Sequence, residues 1–223
     1  MRAYLIKASL IVPLVASAMV AQTPVPVEQE PHHHVVWKNE SVEVIRVVVP
    51  AGESTLFHTH SRDRVAVDLT STMLSFQKLN ETEGQPEPSI PGEVSSHADF
   101  DAPYTHRLHN VGEKTYEVVD VEFFKRPEHP SEIAAATVAA ENPSARVYKW
   151  NLAPGGATTP HVHEHPYILL AVTSSRLRTT TPDGTSAIEV VKAGDSRWVN
   201  TKGPHALANA GSADGQIVEI ELK

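Results

Sequence analysis

No cysteine occurs among the 223 residues. Disulfides, thiolate metal sites and a lipidated N-terminal cysteine are therefore excluded. Clustered basic residues are missing as well. The chain carries 19 Lys and Arg against 27 Asp and Glu, a formal charge of -8. With no run of cations to neutralise several phosphates, the sequence argues against nucleic acid as a partner. A membrane-spanning run is not found at the N-terminus either. Ala8 to Val20 is almost wholly apolar, but its 13 residues are interrupted by Pro13 and fall short of the roughly 20 that a bilayer requires. What stands there is the layout of a secretory signal peptide: two cations in Met1 to Lys7, the apolar run, and Ala16-Ser17-Ala18 as a small-x-small cleavage site. Residues 1–21 are expected to be removed. The mature chain is then acidic, secreted or periplasmic, and without stable membrane insertion.

The chain also contains a repeat. Asn39 to Leu74 lies on Asn142 to Leu177 without a gap, at an offset of 103 residues. Gly52 meets Gly155, His58 meets His161 and His60 meets His163. At an offset of 99, His106 to Gly112 lies on His205 to Gly211. Two copies of one unit follow. The expected division is a Pro- and Glu-rich extended tether over 22–34, a first domain over 35–126, a linker with one short helix over 127–141, and a second domain over 142–223. His32-His33-His34 reads as an exposed entry segment, one member of which could cover a pocket mouth. Alternation puts Ile45, Val47 and Val49, with their counterparts Tyr148, Trp150 and Leu152, on a core face, and Arg46 and Lys149 on the wetter one. Short strands punctuated by Gly and Pro point to an all-β chain of barrels or sandwiches, the Ala-rich Ser131 to Ala140 being the one segment that suggests a helix.

Each copy carries three matched histidines. Residues i and i+2 of a strand share a face, so the imidazoles of His58 and His60 project together. His106 is the matched candidate for a third ligand, and His161, His163 and His205 repeat the set. Three neutral imidazoles with open positions suit one divalent transition metal per occupied site: iron, manganese, copper, nickel or zinc. A barrel interior can equally hold hydrogen-bonded histidines without an ion.

These motifs resemble the cupin superfamily, specifically its two-domain (bicupin) members. The first family motif is matched by Gly52, His58 and His60 and by Gly156, His161 and His163. The second is matched by Gly92, Pro103, His106 and Asn110 and by Gly194, Pro204, His205 and Asn209. The resemblance implies two tandem double-stranded β-helix (jelly-roll) barrels with a metal in each mouth. Asn110 and Asn209 are expected to stabilise the turn after the histidine. The motif glutamate is absent, and Arg64 and Tyr167 stand where it is expected. Asp63 beside the first site, and Glu164 and His165 beside the second, are the nearby candidates to replace it or to assist. Arg64 either turns away or pairs with a substrate carboxylate.

The function expected from these residues is metal-dependent action on a small, anionic molecule, of dioxygenase type, with Arg64, Tyr167 or His165 orienting or protonating the substrate. The alternative is a non-catalytic periplasmic cupin that binds a ligand or metal. The two sites are expected to be unequal. A homo-oligomer is neither demanded nor excluded.

Overall fold

The computed structural model describes residues 22–128, 130–131, 133–181, 183–200 and 203–223. The expected signal segment 1–21 lies outside them. The first half forms β1 (Val25–Pro26), β2 (His33–Lys38), β3 (Val42–Val49), β4 (His58–His60), β5 (Arg64–Asp68), β6 (Met73–Lys78), β7 (Glu87–Pro88), β8 (Val94–His97), β9 (Tyr104–Asn110) and β10 (Tyr116–Phe123). The second forms β11 (Ala140–Glu141), β12 (Ala145–Leu152), β13 (Tyr167–Ala171), β14 (Ser175–Thr180), β15 (Ser186–Val191), β16 (Ser196–Val199), β17 (Ala206–Asn209) and β18 (Gly215–Leu222). A single 3₁₀ turn, Val27–Gln29, is the helical element among the described residues. None of their helices is long and apolar enough to cross a membrane.

The first half pairs its strands as β1-β4-β9-β6-β7 and β2-β3-β10-β5-β8; the second as β11-β12-β18-β13-β16 and β15-β14-β17. Each half is a jelly-roll barrel, and strand alternation explains its interior. Ile45, Val47 and Val49 of β3 pack inside barrel one with Leu74, Leu108, Tyr116 and Val118. Leu152, Tyr167, Leu169, Leu177, Leu207 and Ile217 do the same in barrel two. The opposite faces of these strands are buried too. Val42, Val44, Val65, Val67, Val121 and Phe123 form one cluster with Val147, Ile168, Leu170, Val218 and Ile220. Sequence alternation alone marks the inner set, and the second core exists because the two barrels are stacked back to back.

Matched glycine turns lead towards the first histidine of each pair. Gly52 and Gly155 adopt φ of +79° and +75°, left-handed values that glycine reaches without Cβ strain. Their N–H groups donate to the carbonyls of Asn110 and Asn209 at 2.8 and 2.9 Å. The buried amide of Asn110 donates to Val49 O and Lys114 O and accepts from Gly112 N. Asn209 repeats this with Leu152 O, Ala213 O and Gly211 N. These side chains close the turn after each histidine strand.

Two expectations are corrected. Segment 22–34 is not a tether free of the barrel. β1 lies parallel to β4, with Val25 opposite His58, and β2 is antiparallel to β3, with His33 opposite Val47. Burial of Val27 and Glu30, each 2% exposed, anchors the stretch between them. Nor does 131–140 contain a helix among its described residues. Its backbone is taken by barrel two: Ala135 N donates to Tyr148 Oη, Ile133 O accepts from Arg146 Nη1, and Ala139 N donates to Val147 O. So short a helix, unsupported by packing, does not compete with those contacts.

Asp63 joins the halves. It is fully buried, accepts from Arg126 Nε and Nη2 at 2.7 and 2.9 Å, and also accepts from Ser144 Oγ and Phe100 N. Its sequence-assigned place beside the first histidine site is thereby overturned, because both oxygens are committed to Phe100, Arg126 and, from barrel two, Ser144. Asp63→Ala is expected to cost about 2 kcal/mol, the scale of lost hydrogen bonds to a charged group, without altering metal uptake. Urea unfolding with parallel metal analysis checks both.

Candidate metal centres

Barrel one gathers four imidazoles. Antiparallel pairing sets His58 opposite His106, and His60 opposite Tyr104. Ring centroids of His58 lie 5.0 Å from His60 and 4.6 Å from His106, with His60 and His106 at 5.4 Å. The fourth ring belongs to His33 of β2, 4.6 Å from His58. One nitrogen each of His33, His58 and His60 falls within 4.8 Å of the others; His106, the expected third ligand, is not in that set and adjoins it through His58 and His60. Their outer nitrogens are engaged: His58 Nδ1 with Leu56 O at 2.9 Å, His60 Nδ1 with Glu122 at 2.9 Å, and His33 Nδ1 with Glu30 at 2.5 Å. Donation from Nδ1 leaves Nε2 as a lone-pair donor, the arrangement that orients metal-binding imidazoles. Both nitrogens of His106 are buried without a hydrogen-bond partner among the described residues. An orphaned buried imidazole beside three oriented ones fits a transition metal.

Electrostatics agrees with neutral ligands. Burial, then repulsion from His33, lowers His58 to about 4. His60 and His106 are also held well below the imidazole range, by burial first and then by Arg64 and the neighbouring rings. Arg64 does not turn away. It is 6% exposed, its Nε donates to Asp99 at 2.7 Å, and it lines the cavity with the histidines. That cavity, about 340 Å³, also reaches His97, Tyr104, and the pair Asp68 and Tyr116. Tyr116 donates to Asp68 at 2.6 Å, and burial raises the Asp68 carboxyl to about 6.

Barrel two replaces the fourth imidazole with a carboxylate. His161, His163, His205 and Glu219, all buried, present ligand atoms within 4.8 Å of one another. The Nε2 atoms of His161, His205 and His163 stand 2.9, 3.0 and 3.5 Å from the Glu219 oxygens. Trp150 Nε1 donates to Glu219 at 2.6 Å. Burial raises the Glu219 carboxyl, but the surrounding imidazoles outweigh it and hold it well below the usual range. Burial likewise lowers His163, yet Glu219 and Glu221 raise it to about 9. A buried His₃-carboxylate set is a chemically complete donor group for a divalent transition metal. Tyr167 stacks on His205 at 5.4 Å and 6°. The adjoining cavity of about 330 Å³ is lined by His205 and Tyr167 but not by His161 or His163.

Two other sequence candidates stand apart from this centre. Glu164 is exposed and its carboxylate accepts from Ser131 Oγ. His165 lines a surface cleft with Asn39, Trp198 and Leu222. The turn after His163 carries both outward, while Glu164 N donates to Glu221 at 2.8 Å.

Sequence reasoning missed the carboxylates of the closing strands. At the 99-residue offset Asp120 meets Glu219, and Glu122 meets Glu221. Acid-x-acid at inward positions of an otherwise apolar strand was the available signal. Asp120 is one methylene shorter than Glu219; its Oδ2 stays 3.8 Å from His60 Nδ1 and 3.9 Å from Arg64 Nη1. A third acidic group, Glu28, Glu43 and Glu122, is spanned by Arg62 Nη1 at 3.0, 3.7 and 3.2 Å.

Fold and donor sets thus define a two-barrel β protein with a buried histidine centre in each barrel. Residues 148–221 match the family model described as Cupin domain. The β-alanine degradation protein BauB of Pseudomonas aeruginosa is 32% identical over 90 residues, covering 40% of this chain and 94% of that protein. AerE from Microcystis aeruginosa superposes with a TM-score of 0.56 at 12% identity, over 87% of this chain and 98% of AerE. The oxalate decarboxylase of Lactobacillus farciminis does so with a TM-score of 0.54 at 10% identity, over 82% of this chain and 77% of the enzyme. The chain belongs to the cupin superfamily.

Proposed function

We propose that the protein is an exported, metal-dependent bicupin that acts on a small anionic molecule in barrel one, as a dioxygenase-type oxidoreductase. One observation carries this reading: a single cavity of about 340 Å³ is lined by His33, His58, His60, His106 and Arg64 together. The composition of residues 1–21 supports export. BauB, whose name assigns it to degradation of the small carboxylate β-alanine, supports the substrate class.

The imidazoles would hold the ion, and a redox-active metal would supply open positions for O₂ and substrate and a route for electrons. Arg64, held by Asp99, orients an anionic group of the substrate. His97 is lowered to about 4, by burial and then Arg64, and therefore faces the substrate neutral at pH 7. The Asp68 carboxyl, at about 6 and hydrogen-bonded to Tyr116, is placed to exchange a proton near neutral pH. In barrel two, the smaller share of the donor set that meets a cavity favours a holding centre over a reaction chamber.

The test is oxygen uptake by protein loaded with iron, manganese, copper or nickel, against small enolic, phenolic and amino acids. Arg64→Ala is expected to raise KM about 10- to 100-fold for the accepted anion, equivalent to losing about 1.4 to 2.7 kcal/mol of binding. If no loaded form consumes oxygen, the non-catalytic ligand-binding reading replaces this one.

A further inference from the structure

We infer that His33 is a fourth imidazole ligand of the barrel-one metal, delivered by the N-terminal strap 25–38 and positioned by Glu30. The inference rests on the reading of barrel one as a metal centre and extends its ligand set beyond the repeated histidines.

The strap has no reason in barrel packing alone to place an imidazole inward. His33 nonetheless has a side chain 4% exposed, its ring lies 4.6 Å from His58 and 6.2 Å from His60, and it lines the same cavity. His34, the next residue, is exposed, as strand alternation requires. Glu30 holds the ring in place. Its fully buried carboxylate accepts from His33 Nδ1 and His32 N within the strap, and from Leu56 N in the loop before β4. The contact with Glu30 occupies Nδ1 and leaves Nε2 for the ion.

Barrel two shows what the strap replaces. There, Glu219 reaches the three imidazoles directly. Its counterpart Asp120 stops 3.8 Å from His60 Nδ1. On the strap's counterpart in barrel two, Ala140 pairs with Val147 where Trp37 pairs with Val44. At the same offset, Ala136 takes the place of His33 and offers no ligand. Each barrel thus has one donor besides its matched three: Glu219 from the closing strand of barrel two, His33 from the entry strand of barrel one. An all-imidazole centre leaves the ion its full charge, whereas Glu219 removes one unit.

The experiment uses the full mature chain and Co²⁺ as the probe, following ions bound by calorimetry and ligand field by d–d absorption. His33→Ala and His33→Gln are expected to weaken one of two Co²⁺ sites about 10- to 100-fold and to change only that site's absorption. Glu30→Gln should weaken it less and keep the band positions, as a positioning residue does. His34→Ala is the matched control and should change nothing. Should His33→Ala loosen the strap, pulsed EPR on the Cu²⁺-loaded wild type and His33→Gln proteins decides, through loss of one remote imidazole nitrogen from the barrel-one signal. Wild-type binding with unchanged affinities and spectra in both His33 variants overturns the present inference and leaves the metal centre intact. Failure of the wild type to bind Co²⁺ in barrel one overturns both.

Discussion

Glu219→Ala is expected to cost about 3–5 kcal/mol of stability, the scale for removing one member of a buried ionic group, and to abolish metal uptake by barrel two. Glu219 is fully buried and receives Trp150 Nε1, while His161, His163 and His205 converge on its two oxygens. Truncation leaves an indole N–H and three imidazoles without their common partner in a space water does not readily enter. Glu219→Gln keeps the volume and the acceptor for Trp150, so its loss should be smaller in stability while metal uptake still fails. Asp120→Ala in barrel one should do less than Glu219→Ala, since among the described residues Asp120 makes no hydrogen bond to a histidine and its Oδ1 has no partner. Urea unfolding, with zinc or cobalt analysis after gel filtration, measures both properties. A loss below about 1 kcal/mol, the value of an exposed pair, would show that Glu219 does not organise the centre.

Acid should weaken barrel one through its histidines. His58 is held at about 4 in the fold against its ordinary 6.5. Between those values the unfolded chain binds a proton that the folded chain does not. Stability from neutral His58 is therefore complete above pH 6.5 and is lost as pH falls toward 4, amounting to about 3 kcal/mol. His60 and His106 act in the same direction. Glu122 and Asp68, raised by burial to about 8 and about 6, act in the opposite one. The clean readout is consequently a difference: metal-free wild type against His58→Gln, each unfolded in urea from about pH 7.5 to about pH 4. The wild type should lose about 3 kcal/mol relative to the variant across that window. A difference independent of pH would refute the assignment. His163 works at the other end. Raised to about 9, it contributes stability that is full below pH 6.5 and disappears as pH rises through 9, so a His163→Gln comparison should open on the alkaline side.

Much of this molecule was legible from local pattern. A 103-residue offset carried the turns and the His-x-His pairs, and alternation in Val42 to Val49 identified the inner face of β3. Both are visible because a strand repeats every two residues and a duplicated unit repeats whole. The third histidine was legible only through the second copy, since nothing local connects His106 to His58 across the chain. Asn110 and Asn209 were readable for the same reason.

Contacts set by register and by the path of the chain needed the tertiary structure. The sequence position of the family glutamate pointed to Arg64 and Tyr167, and their neighbours Asp63, Glu164 and His165 were the local substitutes. Three of these five are engaged elsewhere, because the turns after the histidine pairs carry them to the barrel interface or to solvent. The carboxylate instead comes from β18, the strand that pairs with both β12 and β13 and so brings Glu219 under the imidazoles. His33, which lines the same cavity, comes from a segment whose proline and glutamate content reads as an extended tether. One buried valine, one buried glutamate and two short strand pairings hold it against the barrel. Composition does not encode such docking, because its free energy comes from surfaces that exist only after the barrel has formed.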